Sequence, residues 1–293
     1  MKSLVALEST LLLHGVPRAG ALELAKRLFS IIEGQGAAPR LITIQAGVPH
    51  VQTTALELEG LLQFPPSEIP KVNSANLGAA LHLGWNAATT VSSTMELAAL
   101  EGIQYFATGG LGGVHPLKLH AGSLALDVSS DLSAFTRFPV AVVASGVKSI
   151  LDVAATREML EALGVTVVGF QTNKFPAFYF RSDPGGKELA VDVRFDDVVK
   201  LSRFVKAEMS RTGRGLLITN PIAAEAELKV DLWNLWLAAA EALPEVGTSQ
   251  GRNRTPRLLE ALHRLSGGAT LAANVRLIED NVRLAAKLAA CAG

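Results

Sequence analysis

The sequence contains a single cysteine, Cys291, among its 293 residues. One cysteine cannot form an internal disulfide or a metal site built on several thiolates. Both exclusions fit a protein that works in a reducing compartment, and we predict a cytoplasmic location.

The chain also lacks an excess of charge and any long hydrophobic run. Its 27 basic and 27 acidic residues give a formal net charge of +0. It has no basic block that could bind the phosphate backbone of polymeric nucleic acid. No stretch approaches the roughly 18 uninterrupted apolar residues of a membrane helix, and Glu8 interrupts the first apolar run too early for a signal peptide. We therefore expect small-molecule partners, no membrane insertion and no export.

Apolar material is plentiful, since 49% of the residues are hydrophobic. Short apolar runs alternate with helical patterns as far as Thr219, and nearly all later patterns are helical. This order predicts an α/β fold with three layers (α/β/α), a mostly parallel central sheet and a helical C-terminal portion. We expect one domain over residues 1–293, with a two-domain division as the alternative. The predicted strands are 3–7, 40–45, 88–91, 103–108, 140–145, 165–170 and 215–219, and the predicted helices are 21–33, 53–62, 95–100, 149–163, 231–242, 255–265 and 270–290.

Lys148 follows the predicted strand 140–145. Ligands of parallel sheets bind outside the carboxyl ends of the strands. Lysine is almost never fully buried without a partner, and a partly desolvated amine can lose its proton and attack a carbonyl. Lys148 is therefore our first candidate nucleophile. The alternative is an ordinary surface lysine at the start of a helix.

Glu8 directly follows the predicted strand 3–7 and so belongs to the same edge of the sheet. Burial at the mouth of a strand can raise the pKa of a carboxyl group until it acts as a general acid near neutral pH. Glu8 is our candidate acid. The alternative is a carboxylate that caps or salt-bridges a neighbouring element.

A glycine-rich segment, TGGLGGVH at residues 108–115, ends the predicted strand 103–108. Its glycines allow backbone amides to approach an anion closely, and they serve a tight turn equally well. The segment matches neither the GxGxxG nor the Walker A pattern, so it does not indicate a nucleotide cofactor. His115, at its end, is a secondary candidate for the site.

Two aspartates, Asp127 and Asp131, lie four residues apart with Ser129 and Ser130 between them. Carboxylates bind hard divalent cations such as Mg²⁺ and Mn²⁺, which keep several waters. Helix capping is the alternative for these residues. Lys71 lies in a predicted loop, where it can pair with a phosphate or remain solvated.

Short motifs in a fixed order give a more specific indication. They are ALEST followed by HG (6–15), TTV (89–91), ATGGLGGVH (107–115), DVSSDL (127–132), KSILD (148–152), QT with FPAFY (171–179), NPI (220–222) and AN (273–274). Together they resemble the pseudouridine-5'-phosphate glycosidase family, also called indigoidine synthase A-like, from about residue 5 to about residue 290.

The resemblance implies an α/β/α fold, usually a homotrimer, and an enzyme with one Mn²⁺ ion per subunit. It implies reversible cleavage of the C–C glycosidic bond of pseudouridine 5'-phosphate with water, giving uracil and ribose 5-phosphate, a reaction of the carbon–oxygen lyase class in nucleotide metabolism. By position, Lys148 matches the lysine that forms a Schiff base with C1' of the opened ribose, Glu8 the proton donor, Asp127 the metal ligand and Asn274 a base-side asparagine. The positions that match substrate contacts are Lys71, Val91, Ser129, Ser130 and Asp131.

The implied chemistry agrees with the residues found. A C–C glycosidic bond has no heteroatom leaving group, so the acid-assisted departure used by O-glycosidases does not transfer to it. Capture of C1' by an amine gives an iminium that acts as an electron sink. A carboxyl group such as Glu8 can then move the protons that ring opening and the aglycone carbon require.

The chain departs from the family pattern around the expected pocket. The family continues through a second proline to an asparagine where residues 18–21 read RAGA, and it has an arginine–aspartate pair where residues 72–77 read VNSANL. Its arginine–glycine after the histidine is replaced by a longer segment, PLKLHAG at 116–122, in which Lys118 or His120 could replace the lost cation. Because the matching lysine and glutamate are retained while their surroundings are altered, the resemblance implies the ribose-phosphate chemistry but does not identify the aglycone.

Two other functions remain open. The altered segment 116–122 would suit a larger aromatic acceptor, as in a C-glycosynthase that joins ribose 5-phosphate to a polyketide-like aglycone. A non-catalytic paralogue that only binds a sugar phosphate is the alternative from a different class.

Overall fold

A large β-sheet forms the centre of the protein in the computed structural model, which describes residues 2–116, 118–120, 123–247 and 254–292. The strands are β1 (Leu4–Glu8), β2 (Ala38–Gln45), β3 (Val48–His50), β4 (Lys71–Val72), β5 (Ala87–Thr89), β6 (Tyr105–Ala107), β7 (Lys118–His120), β8 (Ser123–Ala125), β9 (Ala141–Ala144), β10 (Val167–Phe170), β11 (Val193–Phe195) and β12 (Leu216–Thr219). The main sheet has the order β11-β10-β12-β9-β6-β1-β2-β5-β4, with β3 paired to β2, while β7 and β8 form a separate antiparallel pair.

Most neighbouring strands of the main sheet are parallel. The exceptions are the pairs β2–β3 and β2–β5, which are antiparallel. The central strands β6 and β9 are buried along their whole length, as expected for strands that are covered on both faces. Their carboxyl ends lie beside that of β1, because β1 pairs with β6 and β6 with β9 in parallel.

Helices lie on both sides of this sheet. They are α1 (Thr10–His14), α2 (Arg18–Gly34), α3 (Ala55–Gln63), α4 (Leu77–His82), α5 (Val91–Leu100), α6 (Ser130–Ala134), α7 (Val153–Ala162), α8 (Val198–Thr212), α9 (Val230–Glu241), α10 (Pro244–Gly247), α11 (Arg254–Leu265) and α12 (Ala269–Ala292). The long helix α12 packs on β1, β6 and β9 and contacts α2 and α8, whereas α5 packs on β1, β2 and β5 and contacts α6. None of these helices, over the ranges given, is both long and apolar enough to cross a membrane.

The α/β fold, the mostly parallel sheet and the helical C-terminal portion predicted from the sequence are confirmed. Two predicted helix starts are wrong by four residues, each for a local reason. Helix α5 begins at Val91 rather than at residue 95, because Thr90 and Ser93 form a capping box that ends the strand early. Helix α7 begins at Val153 rather than at residue 149, because Asp152 caps it by accepting from the Ala155 N–H. The single-domain assignment stays a prediction.

Candidate active site

A cleft lies at the carboxyl ends of β1, β6 and β9. Glu8 is the last residue of β1, Thr108 directly follows β6, and Lys148 lies four residues after the end of β9. The cleft holds about 490 Å³ of empty space, part of it open to solvent. It is lined by Glu8, Thr10, Leu11, His14, Gly15, Lys71, Thr108, Gly109, Gly110, Lys148, Phe178, Leu259 and Asn274.

Glu8 is buried in the wall of this cleft, with 7% of its surface exposed. The Thr108 hydroxyl donates a hydrogen bond to Glu8 Oε1. Burial raises the pKa of the Glu8 carboxyl above its ordinary value, and the positive charge of Lys148 and the Thr108 hydrogen bond offset only part of that rise. Glu8 therefore keeps its proton to a higher pH than an exposed glutamate does, as a general acid requires.

Lys148 is held by the backbone around it. Its N–H donates to Leu111 O at 3.1 Å, and the Leu111 N–H donates to Gly146 O at 2.9 Å. Gly146 has a φ of +78°, and a Cβ atom there would collide with Pro176 O. Only glycine fits this turn, which brings the chain from β9 round to the cleft.

The glycine-rich segment connects Lys148 to the predicted metal segment. Leu111 forms a bridge with Val147, and Val114 forms one with Val128. Gly112 packs so closely that a Cβ atom would collide with the side chain of Ser129. The glycines at 112 and 146 therefore serve close packing.

Asp131 is a buried carboxylate, 5% exposed, whose two oxygens both accept backbone hydrogen bonds. Asp131 Oδ2 accepts from the Gly112 N–H at 2.9 Å, and Oδ1 accepts from the Ser92 N–H in the first turn of α5 at 3.1 Å. Asp131 thus joins the glycine-rich segment to the N-terminus of α5. Its negative charge also contributes to the raised pKa of Glu8.

The other predicted substrate contacts on this side surround the same helix ends. Val91 is the buried first residue of α5. Ser129 caps α6 by accepting from the Asp131 N–H at 3.2 Å, and the Ser130 hydroxyl lies 3.1 Å from that of Ser92. These residues and Asp131 do not line the cleft itself, whereas the predicted contacts Lys71 and Asn274 do. Their contact with substrate stays a prediction.

His14 lines the cleft close to Lys71, and the sequence indicated it only as part of a motif. Its Nε2 lies 2.8 Å from Ile69 O. Burial, aided by the positive charges of Lys71 and Arg18, lowers the pKa of the imidazole to about 4. His14 is therefore neutral at physiological pH and donates through Nε2–H to the loop that leads into β4 and Lys71.

Asn274 reaches the cleft from α12 and is 3% exposed. Its Nδ2 donates to Gly15 O at 3.4 Å. Its buried Oδ1 has no hydrogen-bond partner in the described part of the chain. A buried acceptor without a partner is costly, so this oxygen is suited to a donor group on a ligand.

Asp127 and His115 lie side by side where the glycine-rich segment pairs with the chain that leads into α6. The His115 N–H donates to Asp127 O at 2.9 Å, and His115 Nε2 lies 3.9 Å from Asp127 Oδ2, whose side chain is 55% exposed. Over residues 2–116 and the other described ranges, no group of three or more His, Cys, Asp or Glu side chains could hold a metal ion. The side chains of Lys118 and His120, and residues 117, 121 and 122 entirely, lie outside the described residues.

Comparison with known proteins places these features in a family. The family model described as indigoidine synthase A like protein matches residues 1–291. A pseudouridine-5'-phosphate glycosidase of Dinoroseobacter shibae is 39% identical over 286 residues, covering 97% of this chain and 90% of the relative. The Escherichia coli K12 protein of the same name is 38% identical over 290 residues, covering 98% of this chain and 90% of the relative.

Two solved structures share the fold over nearly the whole chain. An indigoidine synthase A-like protein of Thermotoga maritima has a TM-score of 0.86 at 35% identity, covering 99% of this chain and 92% of that chain. The prealnumycin C-glycosynthase AlnA, solved in complex with ribulose 5-phosphate, has a TM-score of 0.85 at 33% identity, covering 99% and 91%. Since both the family model and these relatives span almost all of its residues, the chain belongs to the indigoidine synthase A-like family.

Proposed function

We propose that this protein is a pseudouridine-5'-phosphate glycosidase, which converts pseudouridine 5'-phosphate and water into uracil and ribose 5-phosphate. One observation carries the proposal: a buried glutamate with a raised pKa and a lysine line the same cleft and interact electrostatically. The relatives that bear this name support the same activity.

Lys148 and Glu8 would share the chemistry of ribose opening. The amine of Lys148 forms a bond to C1' while the C1'–O4' bond breaks, and Glu8 gives its proton to O4'. The new nitrogen–carbon bond leaves an extra proton on nitrogen, and that proton returns to Glu8. At this stage the open sugar is attached to both the lysine and uracil.

The lone pair on the Lys148 nitrogen then drives cleavage of the C–C bond. It forms a C=N bond to C1' while the electrons of the C1'–C5 bond pass to uracil C5, which takes the proton from Glu8. Water then adds to the iminium and releases ribose 5-phosphate, and the surplus proton passes to the Glu8 carboxylate, which restores protonated Glu8 and the free amine of Lys148. The reverse order of these steps gives synthesis.

We propose Mn²⁺ as the metal, held by Asp127 with His115 beside it. The donor chemistry fits, because an exposed carboxylate suits a hard cation that keeps several waters and uses few protein ligands. When bound, the ion would neutralise negative charge on the phosphorylated substrate. The protein supplies the carboxylate and the short segment that fixes it next to His115.

The test is incubation of the purified protein with Mn²⁺ and pseudouridine 5'-phosphate, or with ribose 5-phosphate and uracil, followed by borohydride trapping and mass spectrometry. We expect release of uracil and a ribose-phosphate adduct on Lys148. Lys148→Ala should lose both, whereas the exposed lysine control Lys200→Ala should keep both. Turnover that survives Lys148→Ala would contradict the assignment of the nucleophile.

A C-glycosynthase is the second candidate, supported by the structural similarity to AlnA. Part of the cleft wall is apolar, with Leu11, Phe178 and Leu259. The same assay with a panel of phenols and quinones separates the two functions. Coupling to an aromatic acceptor without reaction of uracil would favour the synthase, and binding of ribose 5-phosphate with no adduct would indicate a non-catalytic paralogue.

We also propose a cytoplasmic homotrimer. The helix α9 exposes Leu232 (43%) and Leu235 (64%) next to the buried Trp233, so this helix offers apolar surface to a neighbouring subunit. Light scattering on the purified protein should give a mass three times that of the chain. Leu235→Glu should lower that mass if α9 takes part in the contact.

A further inference from the structure

Asn281 is a fully buried polar residue of α12, 0% exposed, near the carboxyl ends of the central strands. Its side-chain amide is joined by hydrogen bonds to the segments that follow β6, β9 and β12. The residues it reaches are far away in sequence, with separations of 61 to 173 residues. If this position of α12 served only packing against the sheet, we would expect an apolar side chain here, because burying a polar group costs free energy unless it forms hydrogen bonds.

The amide nitrogen of Asn281 binds the segment after β6. It donates to Thr108 O at 2.8 Å and lies 3.3 Å from Gly109 O. Thr108 is the residue whose hydroxyl donates to the candidate acid Glu8. The backbone of the acid's partner is therefore fixed by Asn281.

The same amide binds the segment that leads to Lys148. Asn281 Nδ2 lies 3.1 Å from Ser145 Oγ, and Asn281 Oδ1 lies 3.3 Å from the same oxygen. Ser145 directly precedes the turn at Gly146, and its hydroxyl donates to Asn220 O at 2.9 Å. Asn220 Nδ2 donates in turn to Asn281 Oδ1 at 3.0 Å, which closes the network across β12.

We propose that Asn281 is a positioning residue that sets the distance between the acid and the amine of the reaction. One planar amide fixes Thr108, which binds Glu8, and Ser145, which begins the turn to Lys148. Because the three segments depend on the same group, its loss lets them shift relative to one another. A misplacement of about 1 Å between reacting groups can cost about a hundredfold in rate. The inference rests on the proposed function.

The test uses Asn281→Leu, which keeps similar bulk without hydrogen bonds, and Ser145→Ala, which removes the hydroxyl that contacts Asn281 and donates to Asn220 O but leaves the bond from Asn281 to Thr108 O in place. The control is Ser202→Ala, because the Ser202 hydroxyl also makes a buried hydrogen bond to α12, to Leu288 O at 3.2 Å, away from the cleft. Two quantities are measured with ribose 5-phosphate: the single-turnover rate constant of adduct formation on Lys148 and the dissociation constant. A rate constant of this kind does not depend on the fraction of folded protein.

We expect the rate constant to fall about tenfold or more in Asn281→Leu and about threefold in Ser145→Ala, with the dissociation constant changed less than threefold. Ser202→Ala should stay within twofold of the wild type. An unchanged rate in Asn281→Leu, or an equal loss in Ser202→Ala, would overturn the proposal. If Asn281→Leu does not fold, Ser145→Ala decides in the same way.

Absence of an adduct in the wild type would instead contradict the proposed function. Hydrogen exchange then tests the positioning separately, through the Lys148 N–H that donates to Leu111 O. Faster exchange of this amide in Ser145→Ala than in Ser202→Ala supports the role of the network, and equal exchange excludes it.

Discussion

The hydroxyl of Thr108 donates a hydrogen bond to the carboxyl group of Glu8 inside the cleft. Two effects on this carboxyl group therefore oppose each other. Burial raises its pKa, whereas the hydrogen bond, together with the charge of Lys148, lowers it. A residue next to the acid can thus adjust the pH at which the acid gives up its proton.

Thr108→Val should move the alkaline limb of the pH–rate profile to higher pH. The hydrogen bond favours the ionised carboxylate, so its loss raises the pKa of Glu8 further. Because Glu8 acts in its protonated form, activity should persist to a higher pH. The maximal rate should fall about tenfold, because the Glu8 carboxyl is positioned less tightly without the hydroxyl. The measurement is kcat against pH. Thr108→Ser keeps the hydroxyl and should show an unchanged limb; a limb that moves downward in Thr108→Val would exclude Glu8 as the acid.

Glu8→Gln should abolish turnover and stabilise the protein at neutral and alkaline pH. The Glu8 carboxyl has a pKa of about 4.3 in the unfolded chain and a higher pKa in the folded protein. The free energy of unfolding therefore falls as the pH rises from about 4.3 through the pKa of the folded protein. Glutamine does not ionise and avoids this loss. We expect a Tm increase on the order of 3 °C at pH 8 and almost none at pH 4. Equal Tm differences at both values would contradict the raised pKa.

Asn274→Leu should weaken recognition of the aglycone without preventing capture of the sugar. The substitution removes the buried Oδ1 that has no protein partner in the described ranges. We expect the KM for pseudouridine 5'-phosphate to rise at least about tenfold. Borohydride trapping of ribose 5-phosphate on Lys148 should continue at nearly the wild-type rate. A loss of trapping as large as the loss of turnover would place Asn274 on the sugar side.

Asp127→Asn should weaken Mn²⁺ binding by about tenfold or more, because an amide replaces the carboxylate that a hard cation prefers. Binding of Mn²⁺ is measured directly by electron paramagnetic resonance, which needs no substrate. Asp231→Asn alters an exposed aspartate on α9 and serves as the control. Equal Mn²⁺ affinity in the two variants would exclude Asp127 as the ligand.

Local sequence patterns predicted the strands that carry the site. The apolar run of β1 leads to Glu8, and that of β9 ends four residues before Lys148, so the shared sheet edge followed from parallel pairing. The antiparallel pairing of β5 with β2 did not follow, because no local pattern encodes strand direction. The predicted elements also leave out α8, although its buried Leu201, Val205 and Met209 have helical spacing. Charged residues between these positions interrupt the apolar pattern along the sequence.

The contacts that position the site are long-range, and the sequence did not indicate them. Asn281 reaches Thr108 across 173 residues, and nothing near either residue specifies that bond. The sequence indicates Asp131 by its carboxylate, but only the fold shows that the backbone N–H groups of Gly112 and Ser92 donate to its two oxygens. Side-chain chemistry along the chain therefore indicates candidate reacting groups, whereas the residues that hold them emerge only from the fold.

The close packing of Gly112 and Gly146 bears on how such a protein evolves. A side chain at Gly112 would collide with Ser129, and one at Gly146 would collide with Pro176 O. Substitutions at these two positions are therefore excluded. The apolar side of the cleft, at Leu11 and Leu259, is under no such restriction from these glycines. Substitutions that change substrate choice should therefore accumulate on this apolar side. The same backbone around Glu8 and Lys148 can then serve either the breakdown or the assembly of carbon-linked ribosides.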